Sequence, residues 1–286
     1  MIKKLILLFS LAFCTNQLFA QHEELDRITD SIVNEGKALY RSEWASWYGT
    51  DIFLAKCANK RALSGGYLSY ETNDGLTNIF FTKGDNPMVL ATISFGKDFN
   101  SKNYKLDTVL RKFNEIEDDL YIIRTAALKR SLSDTAFKHY KNTGLNVVPL
   151  IQKNIKKVYM LTSLQLDDIV IFGNDYLLNF NEQNEITTIK SLHKNLINVS
   201  TKADSGKVIK SAMHTHLPKS GDYIAATDIC TLMLYEKFTP WEQYYVISKN
   251  DVSIWDCKKN ELVILTMAAW KRIGADEESR HPKRNK

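Results

Sequence analysis

A series of short strand-like segments separated by tight turns constrains the fold more than any other feature of this 286-residue chain. Residues 66–71 alternate in character, the Asn-Asp-Gly at residues 73–75 is a strong turn signal, and residues 77–82 form a second run. Another turn leads to a third run at residues 88–95. Consecutive strands joined by short turns usually pair with each other, so this stretch is predicted to be an antiparallel meander.

Apolar residues at helical spacing predict helices on both sides of the meander. The first covers residues 23–45, a long one covers residues 105–130, and a shorter one runs from residue 133 to a stop signal at residues 142–144. The polar face of the long helix carries four acidic residues that are expected to be solvated: Glu115, Glu117, Asp118 and Asp119.

The second half of the chain predicts many short strands and two helices. The predicted strands are 157–162, 169–172, 176–180, 186–189, 207–213, 243–247, 252–255 and 261–265, and the predicted helices are 224–238 and 267–273. The fold class is therefore α+β. An N-terminal helix, β-meander and helix part at residues 21–150 precedes a C-terminal mixed sheet with helices at residues 151–273, with a seam near residues 149–154 and a charged tail at residues 274–286.

The N-terminus is predicted to direct export to the periplasm or the medium. Residues 1–20 combine Lys3 and Lys4, an apolar run too short to anchor the mature chain in a bilayer, and a cleavage site after Ala20. Lipidation of Cys14 is the alternative, although the preceding Phe13 is bulky. Cleavage removes two lysines and lowers the formal net charge from +5 to +3, which is too weak to predict nucleic-acid binding.

Three cysteines remain in the mature chain. An exported protein can form disulfides, and Cys230 and Cys257 lie in the same predicted part of the chain. Either these two cysteines pair with each other, or all three, including Cys57, are buried free thiols.

The residue types that bind metals fall at a useful spacing in the second half of the chain. His214 and His216 are two residues apart on an extended segment, so both rings point to the same side. Asp228 lies near the start of the next predicted helix, where its carboxylate can turn back towards them. Two imidazoles and one carboxylate suit zinc with a fourth position open for water. His193 could add a third imidazole or be a structural hydrogen-bonding residue, and the His-x-His pair could instead only end a strand.

The stretch from residue 158 to residue 265 resembles the JAB/JAMM zinc metallopeptidases, which cleave peptide or isopeptide bonds. The same two histidines and aspartate match the metal ligands of that family. Ala225 occupies the position of the family's serine, and the spacing between His216 and Asp228 is one residue longer than in the family pattern. The resemblance implies a general base at the head of an upstream strand, where this chain offers Asp168 or, alternatively, Asp167.

These observations support three hypotheses about function. The first is an exported zinc-dependent hydrolase of peptide or isopeptide bonds with a peptide or protein substrate. The second is a binding or structural protein that keeps a JAB/JAMM-like fold without catalysis. The third is binding through the N-terminal aromatic residues Trp44, Trp47 and Tyr48 or through the meander. The sequence leaves enzymatic activity and oligomeric state open.

Overall fold

The computed structural model describes residues 2–163, 168–203 and 207–280, with side chains from residue 23 onward. It is 34% helical and 37% strand, which confirms the predicted α+β class. None of the helices in this part of the chain is long and apolar enough to cross a membrane. The side chains of the predicted targeting segment lie outside the described residues, and export stays a prediction.

A single long helix, α1 (Ile2–Lys56), contributes side chains to three of the hydrophobic clusters. Ile32 and Val33 pack against the core of the C-terminal part, whereas Leu39 contributes to a second cluster next to it. Trp44 and Phe53 lie in a third cluster formed with the meander. Because apolar residues recur along α1, different parts of this helix pack against separate sheets.

The meander is confirmed and has one strand more than predicted. It consists of β1 (Ser64–Thr72), β2 (Gly75–Thr82), β3 (Val89–Gly96) and β4 (Tyr104–Asp107), antiparallel and in sequence order.

The prediction of one helix over residues 105–130 is wrong at its N-terminal end, because residues 105–107 belong to β4. Helix α2 (Glu115–Ser133) begins at a capping box: the Asn114 side chain accepts from the backbone N–H of Glu117, and the Glu117 carboxylate accepts from that of Asn114.

The second half of the chain forms two sheets and a strand pair. One sheet has the order β5 (Gly144–Gln152), β6 (Ile155–Ser163), β8 (Tyr176–Phe180), β9 (Ile186–Ser191), while β7 (Ile169–Gly173) pairs with β10 (Leu196–Ser200). The last sheet has the order β11 (Ser211–Thr215), β12 (Gln243–Ile247), β13 (Asp251–Asp256), β14 (Glu261–Thr266). Helix α3 (Ala226–Tyr235) connects the parallel pair β11 and β12, and α4 (Met267–Arg280) follows β14.

Other predicted boundaries also fall differently in the structure. The prediction of a short helix starting at residue 133 is wrong, because Ser133 ends α2 and residues 134–143 form turns and irregular chain that lead to β5. The predicted division at residue 150 falls inside β5, which pairs along its whole length with β6, and one apolar core joins Leu68 and Ile79 to Val158 across it. Residues 274–280 of the predicted tail continue α4, whereas residues 281–286 lie outside the described part.

Helices α1 and α3 approach each other closely at Gly36. A Cβ atom at this position would lie 2.7 Å from Cβ of Ile229, well inside ordinary contact distance. The absence of a side chain at Gly36 therefore allows α3 to sit close against α1. The first turn of α3 carries Asp228.

Candidate metal centre

Four buried side chains converge in the C-terminal part: His193, His214, His216 and Asp228. One potential ligand atom from each lies within 4.8 Å of those of the other three. The predicted trio of two histidines and an aspartate is therefore brought together, and His193 joins it as the third imidazole. The cluster could hold a metal ion.

The strand β11 explains the orientation of two of the rings. His214 lies inside the strand and His216 just after it, where its backbone N–H still donates to the carbonyl of Ile247 at 2.9 Å. The extended backbone thus continues to His216, so the two rings point to the same side. Both histidines are buried, whereas Met213 and Thr215, which alternate with them along the chain, are exposed.

Asp228 is placed by the first turn of α3. Its Oδ2 accepts a hydrogen bond from the backbone N–H of Ala225 at 2.9 Å, and the side chain is only 1% exposed. A helix N-terminus stabilises a negative charge through its unpaired N–H groups. The carboxylate is therefore held as an anion at the end of α3 that faces the histidines.

His193 comes from the turn between β9 and β10 and is fixed by Asp175. The backbone N–H and the ring Nδ1 of His193 both contact Oδ1 of Asp175, at 2.9 and 2.8 Å. Gly173, at a φ of +77°, allows the chain just before Asp175 to lie against the segment that contains His193 and Asn195. A Cβ atom at Gly173 would be 2.3 Å from the carbonyl oxygen of Asn195. The sequence patterns gave no indication that Asp175 would lie beside His193.

The distances between the donor atoms fit a shared ion. Nε2 of His193, His214 and His216 lie 3.6, 3.7 and 3.6 Å from Oδ2 of Asp228. Donors bound tetrahedrally at zinc distances would be about 3.4 Å apart. The Nε2 atoms of His193 and His216 are 2.7 Å apart, closer than this value. These two nitrogen atoms would have to move apart for both to bind the same ion.

Three ligand-type atoms in the cluster are buried without a hydrogen-bond partner in the described part of the protein: Nε2 of His214, Nδ1 of His216 and Oδ1 of Asp228. Buried polar atoms are nearly always satisfied, and an unpaired one costs free energy, so a bound ion is a physical explanation for unpaired atoms in this cluster.

The electrostatics of the cluster favour a positive charge at its centre. Burial lowers the pKa of His214 to about 4, which keeps this ring neutral and able to donate a lone pair. Burial also opposes charge on His193, but the carboxylates of Asp228 and Asp175 outweigh it and raise the pKa of His193 to about 9. Burial would raise the pKa of Asp228, but the three imidazoles hold it well below its usual range.

Aromatic residues separate the cluster from solvent on the side of the last sheet. Phe172 and Tyr244 lie with their ring centroids 5.5 and 5.6 Å from that of His214, and Trp241 packs on both. The Tyr244 hydroxyl is 3.0 Å from Nδ1 of His214. This contact leaves Nε2 of His214 facing the other donors.

The structure does not bring Asp168 to the cluster. Asp168 precedes β7, five residues or about 16 Å of extended chain from Gly173, which lies beside His193. Its side chain is 46% exposed and forms an ion pair with Lys202 at 2.8 Å. The predicted general base is therefore not in reach of the metal position, and the alternative Asp167 lies outside the described residues. Ala225, at the predicted serine position, caps α3 through its backbone N–H.

The aromatic residues near the N-terminus mostly belong to the core. Trp44 is buried against Phe95, Tyr48 is half-buried, and Trp47 is 38% exposed with its edge on Tyr235. The hypothesis that these rings form a binding surface therefore rests on Trp47 alone.

The three cysteines that follow residue 22 are buried free thiols, which is the second of the two predicted alternatives.

Comparisons with models of protein families, with curated proteins and with solved structures give no significant match. The resemblance to JAB/JAMM metallopeptidases thus stays a prediction from the motif.

Proposed function

We propose that this chain is a metal-binding protein in which one zinc ion is held in a closed, structural site by three histidines and one aspartate. The observation that carries the proposal is the convergence of four buried donors, three of which have a buried atom without a hydrogen-bond partner. Three imidazoles and a carboxylate suit Zn²⁺ in ligand type and number.

The number of donors favours a structural role over catalysis. Structural zinc sites are closed by four protein ligands, whereas catalytic sites keep one position for water or substrate. His193 supplies the donor at the position that the two-histidine prediction left open. All four side chains are 6% exposed or less, and Asp168 lies far from them. Hydrolysis of an amide bond would require water to displace one ligand.

Such an ion would join three segments that are distant in the sequence. His193 follows β9, His214 and His216 end β11, and Asp228 starts α3. Binding to the folded state only would stabilise the protein by an amount that grows with metal concentration, about 4 kcal/mol at a thousand times the Kd. The lysines and apolar run of residues 1–20 support the further proposal that the protein works outside the cytoplasm.

Metal analysis of tag-free protein purified without chelators tests the proposal directly. We expect one zinc per chain, loss of the metal in Asp228→Asn and His214→Ala, and a large fall in Tm when wild type is treated with a strong chelator. His139→Ala is the matched control, because His139 bonds the carbonyl of Ser131 and is not part of the cluster. This control should keep the metal.

Two results would argue against the proposal. Wild type that contains no metal and binds none on titration would remove the site altogether. Metal-dependent cleavage of peptide or isopeptide substrates by wild type, lost in Asp228→Asn, would show that the site is catalytic and not structural.

A further inference from the structure

A second buried carboxylate lies directly behind the cluster. Asp175, at the start of the segment that leads into β8, is only 2% exposed. Its Oδ1 accepts from the backbone and the ring of His193, and its Oδ2 accepts from the hydroxyl of Thr227. An ionised carboxylate is costly to bury unless charge and hydrogen bonds compensate for it. The position of Asp175 therefore calls for a nearby positive charge.

The contact with Asp175 determines which nitrogen of His193 is free. Since Nδ1 of His193 lies 2.8 Å from Oδ1 of Asp175, this nitrogen carries the proton and donates. The lone pair of a neutral His193 is then on Nε2, which is the atom that faces Asp228 and His216. Asp175 thus orients the ring as outer carboxylates orient metal-binding histidines in general.

Asp175 also completes a charge balance. Three neutral imidazoles and the Asp228 carboxylate carry one negative charge, and Asp175 adds a second within hydrogen-bond distance of a ligand. Two buried negative charges match a divalent cation, whereas a monovalent or trivalent ion would leave a net charge in a poorly solvated environment.

The same carboxylate connects two ligand-bearing segments. Thr227, which donates to Oδ2 of Asp175, is the residue before Asp228 in the first turn of α3. Asp175 therefore holds the turn that carries His193 and the helix end that carries Asp228 in a fixed relation.

Resting on the proposed function, we propose that Asp175 is a positioning residue of the metal centre, which fixes the ring of His193 and selects a divalent ion without binding it. Replacement by asparagine keeps the shape of the side chain and removes its charge. Loss of an outer partner of this kind lowers metal affinity by about 10- to 100-fold. Thr227→Val removes only the hydroxyl contact, so a smaller loss is expected.

The test measures Zn²⁺ affinity by competition with a chromogenic chelator, and the visible absorption of the Co²⁺-loaded protein as a report on ligand geometry. Asp175→Asn should weaken Zn²⁺ binding about 10- to 100-fold and change the Co²⁺ spectrum. Asp119→Asn is the control, since Asp119 pairs with Lys156 away from the cluster and should leave both unchanged.

The outcomes separate this inference from the proposed function. Wild type that binds neither Zn²⁺ nor Co²⁺ refutes the metal site itself. Wild type that binds them, with Asp175→Asn equal to it in affinity and spectrum, refutes only the role of Asp175. If Asp175→Asn does not fold, Thr227→Val decides: reduced affinity with a changed spectrum supports the role, and unchanged values overturn it.

Discussion

Replacing Glu43 by glutamine should change how the stability of this protein depends on pH. Glu43 lies on α1, is 5% exposed and accepts a hydrogen bond from the side-chain amide of Asn146. Burial raises the pKa of Glu43 to about 7 from an ordinary value of 4.5, although Asn146 and Arg124 act in the opposite direction. Glutamine has nearly the same shape and stays neutral at every pH.

The pKa shift determines both the sign and the size of the effect. The folded state binds the Glu43 proton more tightly than the unfolded state, so the free energy of unfolding falls as pH rises from about 4.5 to about 7. At 1.36 kcal/mol per unit, the full cost above pH 7 is about 3 kcal/mol. Glu43→Gln should remove this cost and be more stable than wild type at pH 8, with a smaller difference at pH 5.

Urea unfolding at pH 5 and pH 8 measures the effect. The change in stability caused by the substitution is compared between the two pH values, so that every other titrating group, including the histidine cluster, cancels. Glu71→Gln serves as control, because Glu71 is a half-exposed partner of Arg41 on the surface. Parallel pH profiles for wild type and Glu43→Gln would show that the burial of this carboxyl carries no cost, and would refute the reasoning.

Three further predictions concern packing, an internal ion pair and the thiols. Gly36→Ala should destabilise by about 1–3 kcal/mol in thermal or urea unfolding, because its methyl group would overlap Ile229, while Gly274→Ala, with open space around it, should not. Glu117→Gln should lower the free energy of unfolding by about 2 kcal/mol at neutral pH, because it weakens a buried pair with Arg111. Burial raises the pKa of Glu117, but its hydrogen bonds and the charge of Arg111 outweigh burial and hold the pKa below its ordinary value. The destabilisation should therefore become smaller when urea unfolding is repeated at lower pH. The three buried thiols should react with a thiol reagent only after unfolding, and fast reaction of native protein would contradict their burial.

Local sequence patterns were sufficient for most of the strands. The meander and the strands of the last sheet follow from turn residues and period-two alternation, which depend on neighbouring positions only. The start of α2 was predicted wrongly, although Asn114 and Glu117 have the spacing of a capping box. The longer helix predicted there reflects apolar residues such as Val109 and Leu110, which are exposed in the structure.

Burial of charged side chains could not be read from the same patterns. Glu117 was expected on a solvated face, yet it is fully buried and accepts from Arg111 and Tyr70, because α2 packs beside β1. An acidic run looks the same in the sequence whether its helix faces water or a neighbouring strand.

The candidate metal cluster could likewise be predicted from the sequence only in part. The sequence by itself determined that His214 and His216 point together and that Asp228 begins the next helix, because residues two apart on extended chain share a side and a helix start attracts a carboxylate. Only the tertiary structure decided that His193 joins this cluster, that Asp175 lies behind His193, and that Asp168 lies elsewhere. Those three outcomes depend on how β7 and the turn after β9 pack against β11 and α3. Such packing brings together residues that are distant in the sequence, and the local periodicity of the sequence contains no information about these contacts.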